Sequence, residues 1–451
     1  MYKSSYYNFF KELDDGCGMI YNTKTGAAAS IKKEHLKDVG KMLENPDENI
    51  SNEFFMALYQ NGFIVKSDFD EYNDVKKRYE KAFYAGDHIN IVLLPAETCN
   101  FTCPYCFIYN YKNNIMDDKI YDRVVKYIEN QIAGSGKKKF LSVTWFGGEP
   151  LLQKDKIIEF MTVLHEHFND RVNIFSNIIT NGYLLTYEVF SELLLRGVVQ
   201  FQVTFDGARE DHDQLRKLKN GEGSYDRIIQ NLKDIVRNIK PDDQFVFALR
   251  INFLKNTYQK IYQLIDNIFE IIGEDKRFKI YCRPVYNFET KRNDIDGIQD
   301  NIFSIADGLK VQNDFTQYIA QKNGFVEESR MHNDYLPLPT STWCSEDNQY
   351  SAIVGADGSI YACDSLVGDE SVCVGYLDES GEIQYNDNSV KWKRSIFEFE
   401  NFEDCKRCKC LPICVGSCKR ERIEGCAKPC LWREEDIYEA MQNYYFNHQS
   451  V

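Results

Sequence analysis

Between residues 88 and 284, six apolar runs alternate with amphipathic helical patterns. This alternation predicts an α/β fold: a partial (β/α)6 barrel with parallel strands inside and helices outside. Two flanking segments complete the outline. Residues 1–87 read as a small mixed α/β domain, and residues 340–451 carry ten of the 15 cysteines. Residues 285–339, rich in Asn, Asp and Gln, read as a connector with helical stretches.

In the N-terminal segment, short strands are expected at 18–22 and 27–31 and helices at 33–44, 53–61 and 70–85, with an apolar turn at Phe63-Ile64-Val65. That order fits a small winged-helix shape. Barrel strands are expected at 88–95, 140–146, 172–180, 198–205, 245–253 and 279–283. Helices fall between them at 118–131, 154–168, 186–195, 225–239 and 257–272. Distinctive motifs sit where strands end, at Phe146-Gly147, Thr180-Asn181 and Thr204-Phe205-Asp206. The carboxyl edge of the strands is where barrel enzymes assemble their sites. Gly147-Gly148 lets the backbone approach a ligand closely.

Composition bounds the function. A chain of 451 residues, 43% hydrophobic, can build more than one core. A net charge of −15 argues against nucleic acid as the partner. No charged-then-apolar targeting segment is apparent, and no apolar run approaches the ~20 residues a membrane helix needs. A reducing cytoplasm, where thiolates survive, is the expected location. From Cys405 to Arg422 the cations Lys406, Arg407, Lys409, Lys419, Arg420 and Arg422 face Glu421 alone. Such a run usually offsets nearby thiolates or keeps a loop soluble. The alternative is a face for an acidic peptide or an acidic electron-donor protein.

The most specific signal is Cys99-x3-Cys103-x2-Cys106. Three thiolates hold three corners of a cubane iron–sulfur cluster, which leaves the fourth iron open to a ligand that is not protein. A zinc knuckle is the other reading; zinc takes a nearby fourth Cys or His, and none follows within the next dozen residues.

The run resembles the signature of the radical S-adenosylmethionine (SAM) enzymes. In that family the open iron chelates SAM, one electron cleaves it, and the resulting 5′-deoxyadenosyl radical abstracts hydrogen from substrate. Trp145-Phe146-Gly147-Gly148-Glu149-Pro150 resembles the family's GGEP motif. Thr180-Asn181-Gly182, Thr204-Phe205-Asp206-Gly207, His212-Asp213 with Arg216, and Gly221-x-Gly223-Ser224-Tyr225 follow in family order. The resemblance implies a TIM-like partial barrel with a [4Fe–4S] cluster on Cys99, Cys103 and Cys106. It implies a SAM site of Gly147, Gly148 and Glu149 near the amino group and Tyr105 near adenine. Asn181 and Thr204 would complete it at the strand ends, with Arg216 and Asn252 toward the carboxylate or ribose.

Downstream, Cys344, Gly358-x4-Cys363 and Cys405-x2-Cys408-x5-Cys414-x3-Cys418 precede Cys426 and Cys430. This pattern resembles the SPASM extension of peptide-modifying radical SAM enzymes. The resemblance implies two auxiliary [4Fe–4S] clusters. Cys344, Cys363 and Cys418 would hold the first, with either Cys373 or a substrate thiolate at its fourth corner. Cys405, Cys408, Cys414 and Cys430 would hold the second; Cys426 competes with Cys430, and Cys410 is extra to the pattern. C-x2-C pairs also read as zinc ribbons, and the upstream motifs favour iron. Asp364, directly after Cys363, matches the aspartate that acts as a base in sulfatase-oxidising relatives. Its other reading is a turn cap.

Taken together, the resemblance implies a maturase of a ribosomal precursor peptide that installs a thioether between a Cys sulfur and a carbon. Residues 1–87 would grip the peptide's leader by strand addition, and flavodoxin or ferredoxin would supply electrons; neither membrane nor nucleic acid is expected as a partner. Within the class, the alternative is formylglycine formation on a sulfatase Ser or Cys. Outside it, the alternative is a non-catalytic metal-binding module that recognises protein. Three clusters predict about twelve irons per chain after anaerobic reconstitution, at four per cubane. Iron, sulfide and zinc analysis checks this, and iron for one cluster with stoichiometric zinc would restore the zinc-ribbon reading.

Overall fold

The computed structural model describes residues 1–106, 108, 114–133, 139–285, 298–323, 336–344, 346–425, 430 and 432–448. The chain forms two compact units, both discontinuous in sequence. One comprises 1–85, 330–349 and 394–451; the other comprises 86–329 and 350–393. The linear segmentation expected from the sequence therefore divides the chain differently: residues 350–393 of the cysteine-rich segment join the barrel, and the rest joins the N-terminal residues.

In the first unit, β1 (Tyr2–Ser4) pairs antiparallel with β5 (Ile64–Lys66). β2 (Asn8–Glu12), β3 (Gly18–Asn22) and β4 (Ala28–Ile31) form an antiparallel meander. β1 and β2 were not expected from the sequence; the aromatic, polar run there alternates too briefly to signal a strand. Helices α1 (Leu36–Glu44), α2 (Phe55–Gln60) and α3 (Glu71–Phe83) stand close to their expected places. The Asp70 side chain caps α3 by accepting from Asn73 N–H.

This unit's cores mix residues from both ends of the chain. Phe9, Met19 and Tyr21 pack with Cys410, Ile413, Ile437 and Met441. Tyr7, Tyr79 and Phe83 pack with Ile396, Phe402, Leu411 and Val415. A buried chain of polar contacts runs through the second core. Tyr79 Oη donates to Asp347 Oδ1 at 2.9 Å, Lys419 pairs with Asp347 at 2.7 Å, and Ile396 N–H donates to Tyr79 Oη at 3.3 Å.

The second unit holds a ten-stranded sheet. β6 (His88–Ala96), β7 (Lys139–Gly147), β8 (Val172–Thr180), β9 (Val198–Phe205), β10 (Val246–Phe253) and β11 (Phe278–Pro284) are consecutive parallel neighbours. Between them run α4 (Asp118–Ile132), α5 (Lys154–Phe168), α6 (Tyr187–Leu195), α7 (Arg209–Leu215), α8 (Tyr225–Asn238) and α9 (Ile261–Ile272). α10 (Ile305–Lys322) follows β11, inside the segment expected to be a connector. Six parallel strands with intervening helices make the expected partial barrel.

Side chains alternate across these strands. Trp145, Ile178, Phe201, Phe247 and Phe278 share one register row, with the ring of Phe190 of α6 tilted against Phe201 at 4.6 Å between centroids. The opposite row carries Ile179, Gln202 and Thr204, then Arg250 and Asn252. The sheet does not stop at the barrel. β12 (Ser351–Val354) adds parallel to β6, and β13 (Ser359–Tyr361), β14 (Cys373–Leu377) and β15 (Ile383–Tyr385) continue antiparallel. Among the described residues no helix is long and apolar enough to cross a membrane.

Phe9 is fully buried in the core shared with the C-terminal helix Glu434–His448. Phe9→Ala should destabilise that unit by about 3–5 kcal/mol, the usual cost of truncating a buried aromatic. Denaturant titration read by tryptophan fluorescence, with proteolysis of the C-terminal helix alongside it, measures this.

Candidate active site

Strand β6 runs into Glu97-Thr98-Cys99, and the cysteine loop that follows is held by backbone bonds. Thr102 N–H donates to Lys217 O at 2.9 Å and Lys219 N–H to Asn100 O at 3.0 Å. From the other side, Gly148 N–H donates to Ala96 O and Glu149 N–H to Thr98 O, both at 3.0 Å. These contacts explain the paired glycines. A Cβ on Gly147 (φ +121°) would stand 2.5 Å from Ala96 O, and one on Gly148 would stand 2.2 Å from Thr98 O. The close approach anticipated toward a ligand is made first of all to the backbone of residues 96–99.

Glu149 turns inward. Its carboxylate accepts from Thr180 Oγ1 at 2.6 Å, Asn181 N at 2.8 Å and Leu151 N at 3.0 Å. Burial raises its pKa, and these three donors pull it back down. The side chain thereby ties the end of β8 to the end of β7. Asn181 Nδ2 donates to Asn100 Oδ1 at 2.7 Å and lies 3.8 Å from Cys99 Sγ.

Arg216, Asp206, Tyr105 and Asn252 form a second buried network. Tyr105 Oη donates to Asp206 Oδ2, and Arg216 Nη1 donates to Tyr105 Oη at 3.2 Å. Asn252 Nδ2 donates to Asp206 Oδ1 at 3.0 Å, and Asn252 Oδ1 accepts from Arg250 Nε at 2.9 Å. Burial raises the Asp206 carboxyl, while Arg216 and Asn252 oppose the rise. Burial would lower Arg216, but negative charge on Cys103, Asp206, Cys99 and Cys106 outweighs it and raises its pKa. Behind it, burial and the Arg216 charge keep His212 neutral. His212 Nδ1 accepts from Asp206 N–H at 3.2 Å, so its proton is on Nε2, facing Ser224 Oγ at 3.0 Å. Ser224 Oγ donates onward to Arg216 O at 2.8 Å.

These groups surround a cavity of about 300 Å³. Cys99, Cys103 and Cys106 line it, with Tyr105, Gly147, Gly148, Asn181, Thr204, Arg216 and Asn252. Glu149 stands behind the wall. Asp364 and Ser365, in the turn after β13, also line the cavity, and Ser365 Oγ donates to Asp364 Oδ1 at 3.1 Å. Among the polar lining residues, Gln202, Arg250 and Ser365 were given no site role from the sequence. The first two could have been found, because they sit two residues from Thr204 and Asn252 on the same strand face. Glu97 was also missed. It is buried and accepts from Ala356 N–H and Asn114 Nδ2, both at 3.1 Å.

The donor set suits a cluster and a zwitterionic ligand. Burial is the main reason Cys99 and Cys103 are pushed up to about 12, and the nearby Cys106 adds to both rises. Ligation must therefore expel their protons. Among the described residues, no three Cys, His, Asp or Glu side chains converge tightly enough for a single metal ion. A cluster with iron at each corner takes its thiolates spread apart. Among the described residues, Arg216 Nε is buried and has no hydrogen-bond partner, and the residue lines the cavity as a cation suited to an anionic group.

In the first unit, Cys405, Cys408, Cys414 and Cys430 lie near enough that each of the others raises the Cys414 thiol, after burial, which itself pushes it up to about 12. Cys410 stays protonated and donates to Cys408, which is lowered to about 6. Cys344 and Cys418 belong to this unit; Cys363 and Cys373 belong to the other, where Cys373 contacts Gly375 O. Cys426 lies outside the described residues. Most of the cations between Cys405 and Arg422 are engaged internally. Lys406 pairs with Glu403 at 2.5 Å, Lys419 with Asp347 at 2.7 Å, and Arg420 with Glu424 at 3.2 Å. Lys409 Nζ donates to Asn8 O at 3.1 Å.

Residues 93–268 match the Radical SAM superfamily, and the chain carries a radical SAM domain. Its relatives include the cysteine-type anaerobic sulfatase-maturating enzyme of Clostridium novyi (strain NT). That protein is 23% identical over 74% of this chain and 88% of its own. The radical SAM cyclopropyl synthase TigE of Paramaledivibacter caminithermalis is 26% identical over 52% of this chain and 54% of its own. Among solved structures, native anSMEcpe with bound AdoMet and Cp18Cys peptide covers 80% of this chain and 97% of its own, with a TM-score of 0.55 and 18% identity. Streptococcus suis SuiB bound to precursor peptide SuiA covers 95% and 98%, with a TM-score of 0.51 and 15% identity. The structural likenesses are ones of fold.

Gly148→Ala should drive its methyl into Thr98 O and displace the Cys99 loop. The expected result is loss of about four irons per chain and of 5′-deoxyadenosine formation, with the far-ultraviolet circular dichroism unchanged. Iron assay and chromatography of SAM products read it.

Proposed function

We propose that this chain is a radical SAM maturase acting on a peptide, and that it joins a Cys sulfur to a carbon of a ribosomal precursor. The observation that carries the reading is the cavity that Asp364 shares with Cys99, Cys103, Cys106 and Arg216. It puts a carboxylate within the space where a hydrogen-abstracting radical would act. Cys99, Cys103 and Cys106 would hold the SAM-binding cluster, and Tyr105, Arg216 and Asn252 would orient SAM. Cys405, Cys408, Cys414 and Cys430 would hold one auxiliary cluster. When bound, these groups supply hydrogen abstraction and take up one electron. Asp364 then accepts the proton that the substrate thiol releases as sulfur joins carbon. Phe146, Ile179, Pro284 and Val285 line the same space and exclude water from it.

Several facts support a peptide substrate. The relatives named above are sulfatase-maturating enzymes and a cyclopropyl synthase. The fold shared with SuiB, described with its precursor peptide, spans 95% of the chain, against 80% for anSMEcpe. That difference favours the precursor-peptide version, with residues 1–87 gripping a leader by strand addition. A reducing protein such as flavodoxin or ferredoxin would supply electrons in a cytoplasmic setting.

A second reading, oxidation of a Cys or Ser to formylglycine on a sulfatase, draws on Asp364 and on the sulfatase-maturating relatives aligned over 74% of the chain. Mass spectrometry of Cys-containing peptides separates the two. A thioether removes two hydrogens and blocks thiol alkylation; formylglycine from Cys removes the sulfur and leaves a hydrazine-reactive aldehyde. Asp364→Asn should lower modified peptide by about 10²–10⁴-fold, the usual contribution of a positioned base, while uncoupled 5′-deoxyadenosine formation continues. Equal product from Asp364→Asn would remove its role as base.

A further inference from the structure

Arg422 is almost fully buried, at 3% exposure, in the first unit. Three contacts fix its guanidinium. Nε donates to Gly416 O and Nη1 to Asn401 O, both at 2.8 Å, and the group lies over the Phe402 ring at 5.2 Å. The remaining nitrogen, Nη2, is thereby aimed at Cys405 Sγ and donates to it at 2.9 Å. The carbonyl it grips belongs to an unusual turn: Val415, Gly416 and Ser417 all have positive φ, at 41°, 90° and 67°. A β-branched residue in that region is strained, and here it is held by full burial in the core. The turn links Cys414 to Cys418. One guanidinium thus braces the turn and touches a sulfur at the same time.

We propose that Arg422 sets the reduction potential of the auxiliary cluster on Cys405, Cys408, Cys414 and Cys430, through its hydrogen bond to the Cys405 sulfur. This rests on the ligand set proposed above. A reduced cluster carries one more negative charge than an oxidised one, so a cation donating to a ligand sulfur stabilises the reduced form and raises the potential. Lys406, Lys419 and Arg420 pair with carboxylates, whereas Arg422 donates directly to the Cys405 sulfur while two carbonyls hold the rest of its guanidinium in place. A structural role alone would be met by the two carbonyl bonds. Lysine cannot reproduce the geometry, because one ammonium cannot serve both carbonyls and the sulfur at fixed angles.

The test is a redox titration, followed by electron paramagnetic resonance, of the full-length, anaerobically reconstituted protein. A Cys99→Ala, Cys103→Ala, Cys106→Ala background isolates the auxiliary signals. With Arg422→Gln, one auxiliary signal should shift to lower potential, and its reduced-to-oxidised ratio at a fixed poise should fall about tenfold, equivalent to about 59 mV for a one-electron couple. Arg422→Lys should fall between the two. Iron and sulfide content should not change. An unshifted signal at full iron content overturns the proposal and leaves the cluster assignment standing. Loss of about four irons in both variants makes Arg422 a structural residue and also overturns it. Should Cys405→Ala leave the iron content of the parent unchanged, the ligand set itself is wrong and both readings fall.

Discussion

Backbone meets backbone where β7 ends. Gly147 and Gly148 lie against residues 96–99, and two N–H groups from this stretch reach the carbonyls of Ala96 and Thr98. No side chain fits at either glycine, because a Cβ would sit well inside contact distance of a carbonyl oxygen. The site depends on this seam. It fixes where Cys99 leaves β6, and it delivers Glu149 to the interior, where a buried carboxylate is tolerable only with several donors. Thr180, Asn181 and Leu151 provide them. One short motif therefore orders three consecutive strand ends.

The second network works by charge. Asp206 and Arg216 are both buried, and each is costly without the other. Tyr105 and Asn252 share their hydrogen-bonding capacity, and neutral His212 holds the backbone of Asp206 from behind. Arg216, one of two arginines lining the cavity beside the three cysteines, offsets negative charge gathering there. The rigid barrel edge holds these groups in place before any ligand arrives, which is what preorganisation for radical chemistry requires.

The cysteine-rich segment is divided between the two units, and each part has its own physical task. Its first part extends the barrel sheet by adding β12 to β6, which carries Asp364 to the cavity. Its last part shares cores with residues 1–85. A leader-binding role for those N-terminal residues cannot be tested by deleting them, since Phe9, Tyr79 and Phe83 are as much a part of the C-terminal cores as Ile413 and Phe402 are.

Local pattern by itself determined the barrel. Val172–Thr180, Val198–Phe205 and Lys154–Phe168 fall at their expected ends because period-2 and period-3.6 apolar patterns are strong where one face is buried. Cys99, Cys103 and Cys106 were legible for the same reason, since their spacing is local. The short strands β1 and β2 were not, because three to five residues pair only where tertiary partners hold them. Nor could spacing tell that Glu149 faces inward, that Asp364 lines the cavity of the three thiols, or that Arg422 meets Cys405. Those are contacts between segments far apart in sequence. They are decided by strand order and by where a Cβ cannot fit, and only the folded chain carries that information.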